Sequence, residues 1–445
     1  MRIVIAGAGE VGVHLAKLLA EEQHDIIIID KNTTRLEYVE SHIDVFTIKG
    51  DATCPTILQE ANVSKTDLLI AATSIEANNI TSCILGKKMG AKRCISRIGN
   101  ANLFDDSIVD MQALGIDSMI SPERMAANEI KRLIKRSAFT ESFEFDGGQL
   151  NLVGIHVEQM SSLIGKQIKE IAQEQSELNF LMVAINRKGY TIIPRGHTRI
   201  ELDDFAYFVT KSEGMTAIAK LTGKPQIKAH NVMLLGGTKI GIEAAELLSK
   251  KYHIKLIEEN PEKCFEISDR LNNVLVINGD GRDVELLKEE NIEDMDVFVA
   301  VTGNSAANIM SCLVAKAHGV AKTIALVENM NYIQLSQMVG IDTMINKKLL
   351  AANNIFRHIR SGEVLSLVSV HGVEAEVLEF NVKAGTKITK KTIKDLKFPE
   401  GAVIGGVIRN GEGMITLGDF QIQEDDHVVV FTIHDKIYAV EKFFN

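Results

Sequence analysis

Short runs of Val, Ile and Leu alternate along the first part of the chain with longer stretches in which apolar residues recur at helical spacing. The apolar runs predict five strands, over residues 2–6, 26–30, 45–49, 68–72 and 93–98. Met125, Ile130 and Leu133 then lie in an amphipathic stretch that predicts a helix from residue 124 to about residue 137. Strands that alternate with helices in this way are typical of βαβ units, so we predict a parallel sheet.

A second copy of this pattern follows the first. Residues 45–51 (VFTIKGD) are echoed by residues 274–280 (VLVINGD), and residues 67–73 (DLLIAAT) are echoed by residues 296–302 (DVFVAVT). The spacing between the two segments is the same in both copies. The chain is therefore predicted to contain an internal duplication.

Each copy continues into a part that is richer in strand patterns, since residues 184–204 resemble residues 407–426. Boundaries are predicted near Ser137, at Gly223-Lys224-Pro225 and near Gly362. We therefore predict the α/β fold class, with two Rossmann-like doubly wound parallel sheets that are each followed by a small α+β domain. The predicted domains are Rossmann-like over residues 1–137, α+β over 138–222, a linker over 223–229, Rossmann-like over 230–361 and α+β over 362–445.

A glycine-rich turn joins the first predicted strand to the first helix, with the sequence Gly7-Ala8-Gly9-Glu10-Val11-Gly12. In dinucleotide-binding Rossmann units with this GxGxxG spacing, the first glycine permits a tight turn, the second lets the backbone approach a pyrophosphate and the third allows close helix packing. Asp30 ends the second predicted strand, where a carboxylate accepts hydrogen bonds from ribose hydroxyls and repels a 2′-phosphate. The first copy therefore predicts an NAD(H) site; alternatively, the glycines only connect strand and helix.

Further polar residues are expected along the same crevice. Asp51 and Ala52 follow the third predicted strand, where Asp51 would accept from the adenine amino group or a ribose hydroxyl, or cap the next helix instead. Thr73 and Ser74 close the fourth predicted strand, near the point where the strand order reverses. Arg97 ends the fifth predicted strand and is the best-placed cation for a phosphate, unless it forms an ordinary surface ion pair.

The second copy departs from this pattern at its glycine turn, which reads Gly236-Gly237-Thr238-Lys239-Ile240-Gly241. Thr238 stands where Gly9 stands in the first copy, so its side chain keeps the backbone away from a pyrophosphate. Glu258 and Asp280 keep an acidic residue at the positions of Asp30 and Asp51 in the first copy. Leu326 replaces the arginine at the position of Arg97. We expect this site to bind NAD(H) more weakly, to bind another adenine nucleotide such as ATP or ADP, or to stay empty.

The composition excludes several classes of protein. The formal net charge of −10 at pH 7 argues against a nucleic-acid-binding protein, because such proteins present clustered Lys and Arg to phosphates. The five cysteines lack metal-ligand spacing and predict free thiols in a reducing cytoplasm. No apolar run approaches the roughly 20 residues needed to span a bilayer.

Catalytic motifs are also missing from the sequence. It contains no HExxH motif, no GxSxG motif and no cluster with metal-ligand spacing. We find no candidate acid or base for hydride transfer to or from a nicotinamide. We therefore predict a nucleotide sensor rather than an enzyme, with no catalytic residue and no metal site. The alternative is an NAD-dependent oxidoreductase with an unrecognised substrate.

The doubled arrangement resembles the TrkA family of regulatory subunits of Trk potassium uptake systems, in which two KTN (RCK N-terminal) domains are each followed by an RCK C-terminal domain. The resemblance covers the whole chain and rests on the first glycine turn, Asp30, Gly50-Asp51, Thr73, Arg97 and their second-copy counterparts. It implies a homo-oligomeric ring, expected to be a tetramer. This ring would dock from the cytoplasm onto an integral-membrane potassium transporter of the Trk type, at the inner face of the cell membrane, with NAD(H) and ATP or ADP biasing its gating.

Overall fold

The computed structural model describes the chain apart from residues 22–23, 100–102, 104–108, 175–178, 224–227, 330–331, 333–338, 360–363 and 370–374. The chain divides into two compact units: the first combines Met1–Ala126 with Asn346–Ile359, and the second combines Ala127–Ile345 with Arg360–Asn445. Three positions that we used to predict domain boundaries lie outside the described residues, namely Lys224, Pro225 and Gly362. The domain boundaries stay predictions.

The first unit is built on a six-stranded parallel sheet with the order β3-β2-β1-β4-β5-β6. Its strands are β1 (Arg2–Ala6), β2 (Asp25–Asp30), β3 (Phe46–Lys49), β4 (Leu68–Ala71), β5 (Arg93–Arg97) and β6 (Ser118–Ile120). The order reverses between β1 and β4, as in a Rossmann fold, and this reversal opens a crevice at the carboxyl ends of the two strands. The five strands predicted for this region are confirmed to within one residue at each end.

The helices of this region are α1 (Glu10–Glu21), α2 (Thr33–His42), α3 (Pro55–Glu60), α4 (Glu76–Met89) and α5 (Pro122–Lys135). The sheet is buried on both faces, since all residues from Ile3 to Ala6 in β1 are completely inaccessible to solvent. The helix predicted to begin at residue 124 starts two residues earlier. Its first residue is Pro122, which is favoured at this position, and the Ser121 hydroxyl accepts from the backbone N–H of Arg124 at 3.2 Å.

The second unit begins with an antiparallel sheet of order β10-β9-β11-β8-β7. Its strands are β7 (Glu141–Phe145), β8 (Leu150–His156), β9 (Phe180–Arg187), β10 (Tyr190–Ile192) and β11 (Phe205–Thr210), with helices α6 (Ile168–Gln173) and α7 (Gly214–Leu221). The Arg187 guanidinium forms two 2.8 Å hydrogen bonds to the fully buried carboxylate of Asp204. This bidentate pair fixes the end of β9 against the loop before β11.

A second six-stranded parallel sheet follows, with the order β14-β13-β12-β15-β16-β17. Its strands are β12 (Asn231–Leu235), β13 (His253–Glu258), β14 (Val274–Asn278), β15 (Val297–Ala300), β16 (Lys322–Leu326) and β17 (Thr343–Ile345). Its helices are α8 (Lys239–Leu248), α9 (Pro261–Arg270), α10 (Val284–Glu289) and α11 (Ser305–Ala317). The strand order repeats that of the first sheet, so the predicted duplication and the Rossmann-like fold of both copies are confirmed.

The chain then forms α12 (Lys347–Ile359) and a final antiparallel sheet of order β18-β19-β22-β20-β21. The strands of this sheet are β18 (Val364–Ser369), β19 (Ala375–Asn381), β20 (Ala402–Arg409), β21 (Glu412–Met414) and β22 (His427–Ile433), and α13 (Ile437–Phe444) closes the described chain. Arg409 and Asp426 repeat the bidentate pair of the first antiparallel sheet, at 2.7 and 2.8 Å. The two antiparallel sheets share one apolar cluster, in which Phe145 and Val209 pack with Val377 and Phe431.

Helix α12 follows the second Rossmann sheet in the sequence but belongs to the first compact unit. It packs against α1, and Lys348 Nζ lies 3.3 Å from Glu10 Oε2. Burial, followed by the positive charges of Lys348 and Lys17, lowers the pKa of His14 on α1 to about 4. The first compact unit therefore includes a helix from the second half of the chain.

We predict that His14 makes the stability of the first unit depend on pH in the acidic range. Because the pKa of His14 is about 4 in the folded chain and 6.5 ordinarily, the unfolded chain binds a proton between these values that the folded chain does not. The free energy of unfolding should therefore fall as the pH drops through this range, by at most about 3 kcal/mol since His14 is only partly buried. Urea unfolding at a series of pH values should show a flatter dependence for His14→Gln than for the wild type; equal slopes would contradict the assignment.

Candidate nucleotide-binding site

A cleft of about 330 Å³ opens beyond the carboxyl ends of β1 and β4 in the first unit. Ten of the residues predicted for the first copy line this cleft, namely Gly7, Gly9, Glu10, Val11, Asp30, Asp51, Ala52, Thr73, Ser74 and Arg97. Ala8 and Gly12 belong to the same turn but are buried beneath it. The residues that we selected from the sequence therefore meet at the point where the strand order reverses.

The three glycines of the first turn occupy different surroundings. Gly7 has a φ of +112°, and a Cβ on it would lie 2.9 Å from the backbone nitrogen of Thr73. A Cβ on Gly12 would lie 1.9 Å from the carbonyl oxygen of Gly7, so no other residue fits there without a shift of backbone. A Cβ on Gly9, in contrast, would meet no atom within 4 Å. The fold requires Gly7 and Gly12, while Gly9 leaves open space that faces the cleft.

The carboxylate of Asp30 braces the turn from the end of β2. Its Oδ2 accepts from the backbone N–H of Ala8 at 2.6 Å, and its Oδ1 accepts from the backbone N–H of Asn32 at 2.8 Å. Each carboxylate oxygen has a second lone pair, so Asp30 retains the capacity to accept from ribose hydroxyls while it holds the turn. Sequence reasoning assigned Asp30 only the ribose contact and missed this bracing.

Asp51 follows β3, the strand that neighbours β2, and is held by the residues around it. Its Oδ1 accepts from the backbone N–H and the hydroxyl of Thr53, at 2.9 and 2.8 Å, and its Oδ2 lies 2.8 Å from Lys31 Nζ. The hydrogen bond from Lys31, followed by those from Thr53, lowers the pKa of Asp51 to about 2. Asp51 does not cap α3, because the N-cap residue of that helix is Cys54. Asp51 is therefore an anion that shapes the turn and still lines the cleft.

Arg97 forms an ion pair and also lines the cleft, and its contact with a phosphate stays a prediction. Its Nη2 donates to Glu123 Oε1 at 2.7 Å, and both side chains are largely buried, at 25% and 14% exposure. The residue nevertheless lines the cleft. Asn79, which is almost completely buried, connects β4 and β5 beside it, since its Oδ1 accepts from Thr73 N at 2.8 Å and its Nδ2 donates to the carbonyl of Arg97 at 2.9 Å.

Several cleft residues were not selected from the sequence as site residues. They include two cations on the side of β2, Lys31 and Arg35, together with Asn78 of α4 and Lys347 of α12. Lys31 and Arg35 lie close to Asp30 in the sequence, and this proximity was a usable indication. Lys347 comes from the other half of the chain, so no local pattern near the first glycine turn could have identified it.

In the glycine turn of the second copy, the side chain of Thr238 forms hydrogen bonds within the chain. Thr238 is the N-cap of α8, where its hydroxyl accepts from the backbone N–H of Gly241 at 3.3 Å and donates to the carbonyl of Val301 at 2.8 Å. One of the N–H groups that an anion would otherwise use is therefore occupied within the chain. Lys239 is exposed at the start of α8, and Ile240 is buried in the core.

The acidic residues of the second copy keep the geometry of the first. Glu258 accepts from Gly237 N at 2.7 Å and from Asn260 N at 2.9 Å, just as Asp30 braces its own turn. Asp280 forms a bidentate pair with Arg282, at 2.9 and 2.7 Å, and this contact lowers the pKa of the carboxyl. The second copy thus retains the carboxylate that holds the glycine turn and differs from the first copy at Thr238, which replaces the central glycine.

Two further features of the described residues bear on function. Within the described ranges, no group of three His, Cys, Asp or Glu side chains is arranged to hold a metal ion. None of the helices in those ranges is long and apolar enough to cross a membrane.

The family relationships of the chain follow the same doubled order. Residues 3–122 and 232–347 match the TrkA-N domain family, and residues 152–223 and 377–445 match the TrkA-C domain family. The chain belongs to the TrkA family. It is 32% identical over 450 residues to the Trk system potassium uptake protein TrkA of Halomonas elongata, across 100% of this chain and 98% of that protein. It is 35% identical over 445 residues to the TrkA homolog of Archaeoglobus fulgidus, across the full length of both.

Solved structures of other proteins share the fold of this chain. The GsuK RCK domain aligns with a TM-score of 0.63 and 16% identity, covering 100% of this chain and 94% of that chain. The GsuK channel bound to NAD aligns with the same TM-score and identity, covering 100% of this chain and 78% of that chain. At this level of identity the similarity establishes the fold.

We predict that substitution of Gly9 affects nucleotide binding and that substitution of Gly12 affects the stability of the fold. Gly9→Ala should leave the unfolding midpoint unchanged, because its Cβ meets open space, but should weaken nucleotide binding at least about tenfold by filling the approach to the cleft. Gly12→Ala should lower the free energy of unfolding by more than about 2 kcal/mol, because its Cβ collides with backbone. Thermal unfolding and calorimetric titration of both variants test this, and a destabilised Gly9→Ala that still binds would refute it.

Proposed function

We propose that this chain is a regulatory subunit that controls a membrane potassium uptake transporter in response to NAD(H) bound in its first cleft. The observation that carries the proposal is the open glycine turn at Gly9, set in a chain that matches TrkA potassium uptake proteins over its full length. The subunit acts from the cytoplasm, on the inner face of the membrane. Its partner is an integral-membrane potassium transporter of the Trk type.

The mechanism is a shift in conformational population rather than a chemical reaction. A nucleotide that binds one arrangement of the subunits better than another stabilises that arrangement, and the transporter responds to the change. The subunits act as a homo-oligomeric ring, a tetramer in our proposal. Relatives that match this chain over its full length are named as potassium uptake proteins. These names favour a regulatory role over that of an NAD-dependent oxidoreductase.

The second cleft has a different ligand preference in this proposal. Thr238 already occupies the N–H of Gly241 and fills the space that Gly9 leaves open in the first copy. Dinucleotide binding at the second turn is therefore weaker than at the first or replaced by ATP or ADP. The first cleft is the principal NAD(H) site.

A matched pair of variants tests the assignment of NAD(H) to the first cleft. Asp30→Ala should weaken NADH binding at least about tenfold, since it removes a charge-assisted acceptor for the ribose hydroxyls. Glu258→Ala removes the equivalent brace of the second turn and should leave tight NADH binding in place. Isothermal titration calorimetry on the full chain measures both, and circular dichroism compares their folding. NADH binding that is lost with Glu258→Ala and kept with Asp30→Ala would exclude the first cleft.

Partner binding is tested independently of ligand affinity. We expect the tagged chain to capture a Trk-type transporter from solubilised membranes, and we expect NADH to change the captured amount. Asp30→Ala should capture the transporter but respond less to NADH. A chain that binds NADH and captures no potassium transporter would contradict the regulatory role.

A further inference from the structure

A cavity of about 460 Å³ lies inside the second compact unit. On one side it is lined by the first residues of two parallel strands, Lys322 of β16 and Thr343 of β17. On the other side it is lined by His156 at the end of β8 and Phe205 at the start of β11. The glycine turn of the second copy follows the carboxyl end of β12, so the cavity lies at the opposite end of that parallel sheet. Its volume suits a small organic ligand.

Part of the cavity wall is apolar and aromatic. The rings of His156 and Phe205 stack with their centroids 4.6 Å apart, and Phe139, Ile341 and Met344 also line the cavity. A ligand with an apolar body would remove this surface from water, whereas an inorganic ion would make no use of it. The wall therefore favours an organic ligand.

The two lysines that line the cavity donate hydrogen bonds within the chain. Lys316 Nζ donates to the carbonyl of Gly340 at 2.6 Å and to Asp342 at 3.0 Å. Lys322 is only 3% exposed, and its Nζ donates to the carbonyl of Phe139 at 2.8 Å. Both ammonium groups therefore already meet acceptors of the chain, which leaves less positive charge for an anionic ligand.

Carboxylates give the cavity an excess of negative charge. Glu141, Glu158 and Asp342 line it, and Asp203 lies 3.5 Å from Nε2 of His156. Glu158 lies 3.4 Å from Nδ1 of the same ring. These four carboxylates outnumber the two lysines, and they still outnumber the cations when His156 is protonated and counted as a third. The cavity therefore favours a cationic ligand over an anionic one.

Buried hydroxyl groups supply further acceptors. Thr343 is 3% exposed and Thr140 is half-buried, and both residues line the cavity. Among the described residues, the hydroxyl oxygen of neither threonine has a hydrogen-bond partner. A buried hydroxyl without a partner is unfavourable, and an N–H group of a ligand would satisfy it. The hydroxyls and the carboxylates can thus accept from the same kind of donor.

We propose that this cavity binds a small organic amine. The apolar body of the amine packs against the aromatic wall, and its N–H groups donate to the carboxylates and to the hydroxyl of Thr343. The ligand contacts residues of the first antiparallel sheet and of the second parallel sheet, so it stabilises the contact between them. The cavity and the proposed NAD(H) cleft are lined by different residues, so the amine is a second input to the same subunit.

Three indole compounds that share one ring and differ in charge test the proposal. Tryptamine carries an ammonium group, tryptophol a hydroxyl and indole-3-acetate a carboxylate. We expect tryptamine to bind the full chain at least about tenfold more tightly than indole-3-acetate, with tryptophol between them. Isothermal titration calorimetry measures the affinities, and two further amines, phenethylamine and cyclohexylamine, are titrated alongside. The proposal is overturned if none of the three amines binds, or if indole-3-acetate binds as tightly as tryptamine.

Variants of the cavity locate the bound amine. Ala321→Trp places a large ring at an exposed position of the lining and should weaken the tightest-binding amine at least about tenfold. Glu158→Gln should weaken it at least about threefold, because the change removes a charge and keeps the shape. Glu213→Gln makes the same change at an exposed position outside the lining and should bind the amine like the wild type. A folded Ala321→Trp or Glu158→Gln chain with wild-type affinity would overturn the proposal, as would displacement of the amine by NADH.

Discussion

In each Rossmann unit, the position of the first helix depends on a close contact between two glycines of the turn that precedes it. A Cβ on Gly12 would lie 1.9 Å from the carbonyl oxygen of Gly7, and a Cβ on Gly241 would lie 2.0 Å from that of Gly236. Because no side chain fits in this space, α1 and α8 begin directly against their sheets. The same contact sets where the helix N–H groups point, so the geometry available to a ligand is a consequence of how the helix is packed.

The polar groups around this contact are present in both copies, as are the two glycines that form it. Asp30 and Glu258 hold the turns by equivalent backbone hydrogen bonds. Asn79 and Asn308 each connect the ends of two neighbouring strands, since Asn308 accepts from Thr302 N at 3.0 Å and donates to the carbonyl of Leu326 at 2.9 Å. Bracing of this kind serves the fold in both copies. The exchange of Gly9 for a threonine therefore leaves the bracing of the turn in place, with Thr238 as the N-cap of α8.

Local sequence patterns predicted most of the fold and a large part of the candidate site. The strands followed from their apolar runs, because a strand buried on both faces needs such residues throughout. Gly9 and Asp30 followed from spacing, since the turn and the strand that carry them lie close together in the chain. The pairing of Arg97 with Glu123 did not follow, because the two residues are separated by a long stretch of sequence and either a phosphate or a carboxylate satisfies an arginine equally.

Lys347 shows why comparison of the two copies could not reveal every residue that lines the first cleft. If the two copies were independent, every residue of the first cleft would come from the first half, and comparison of the copies would reveal the whole site. Helix α12 instead belongs to the unit that contains the first sheet. A ligand that binds this unit stabilises every contact that defines it, including the contact between α1 and α12. The lining of the first cleft therefore includes residues from both halves of the chain, and in our proposal a single nucleotide bound there acts on both.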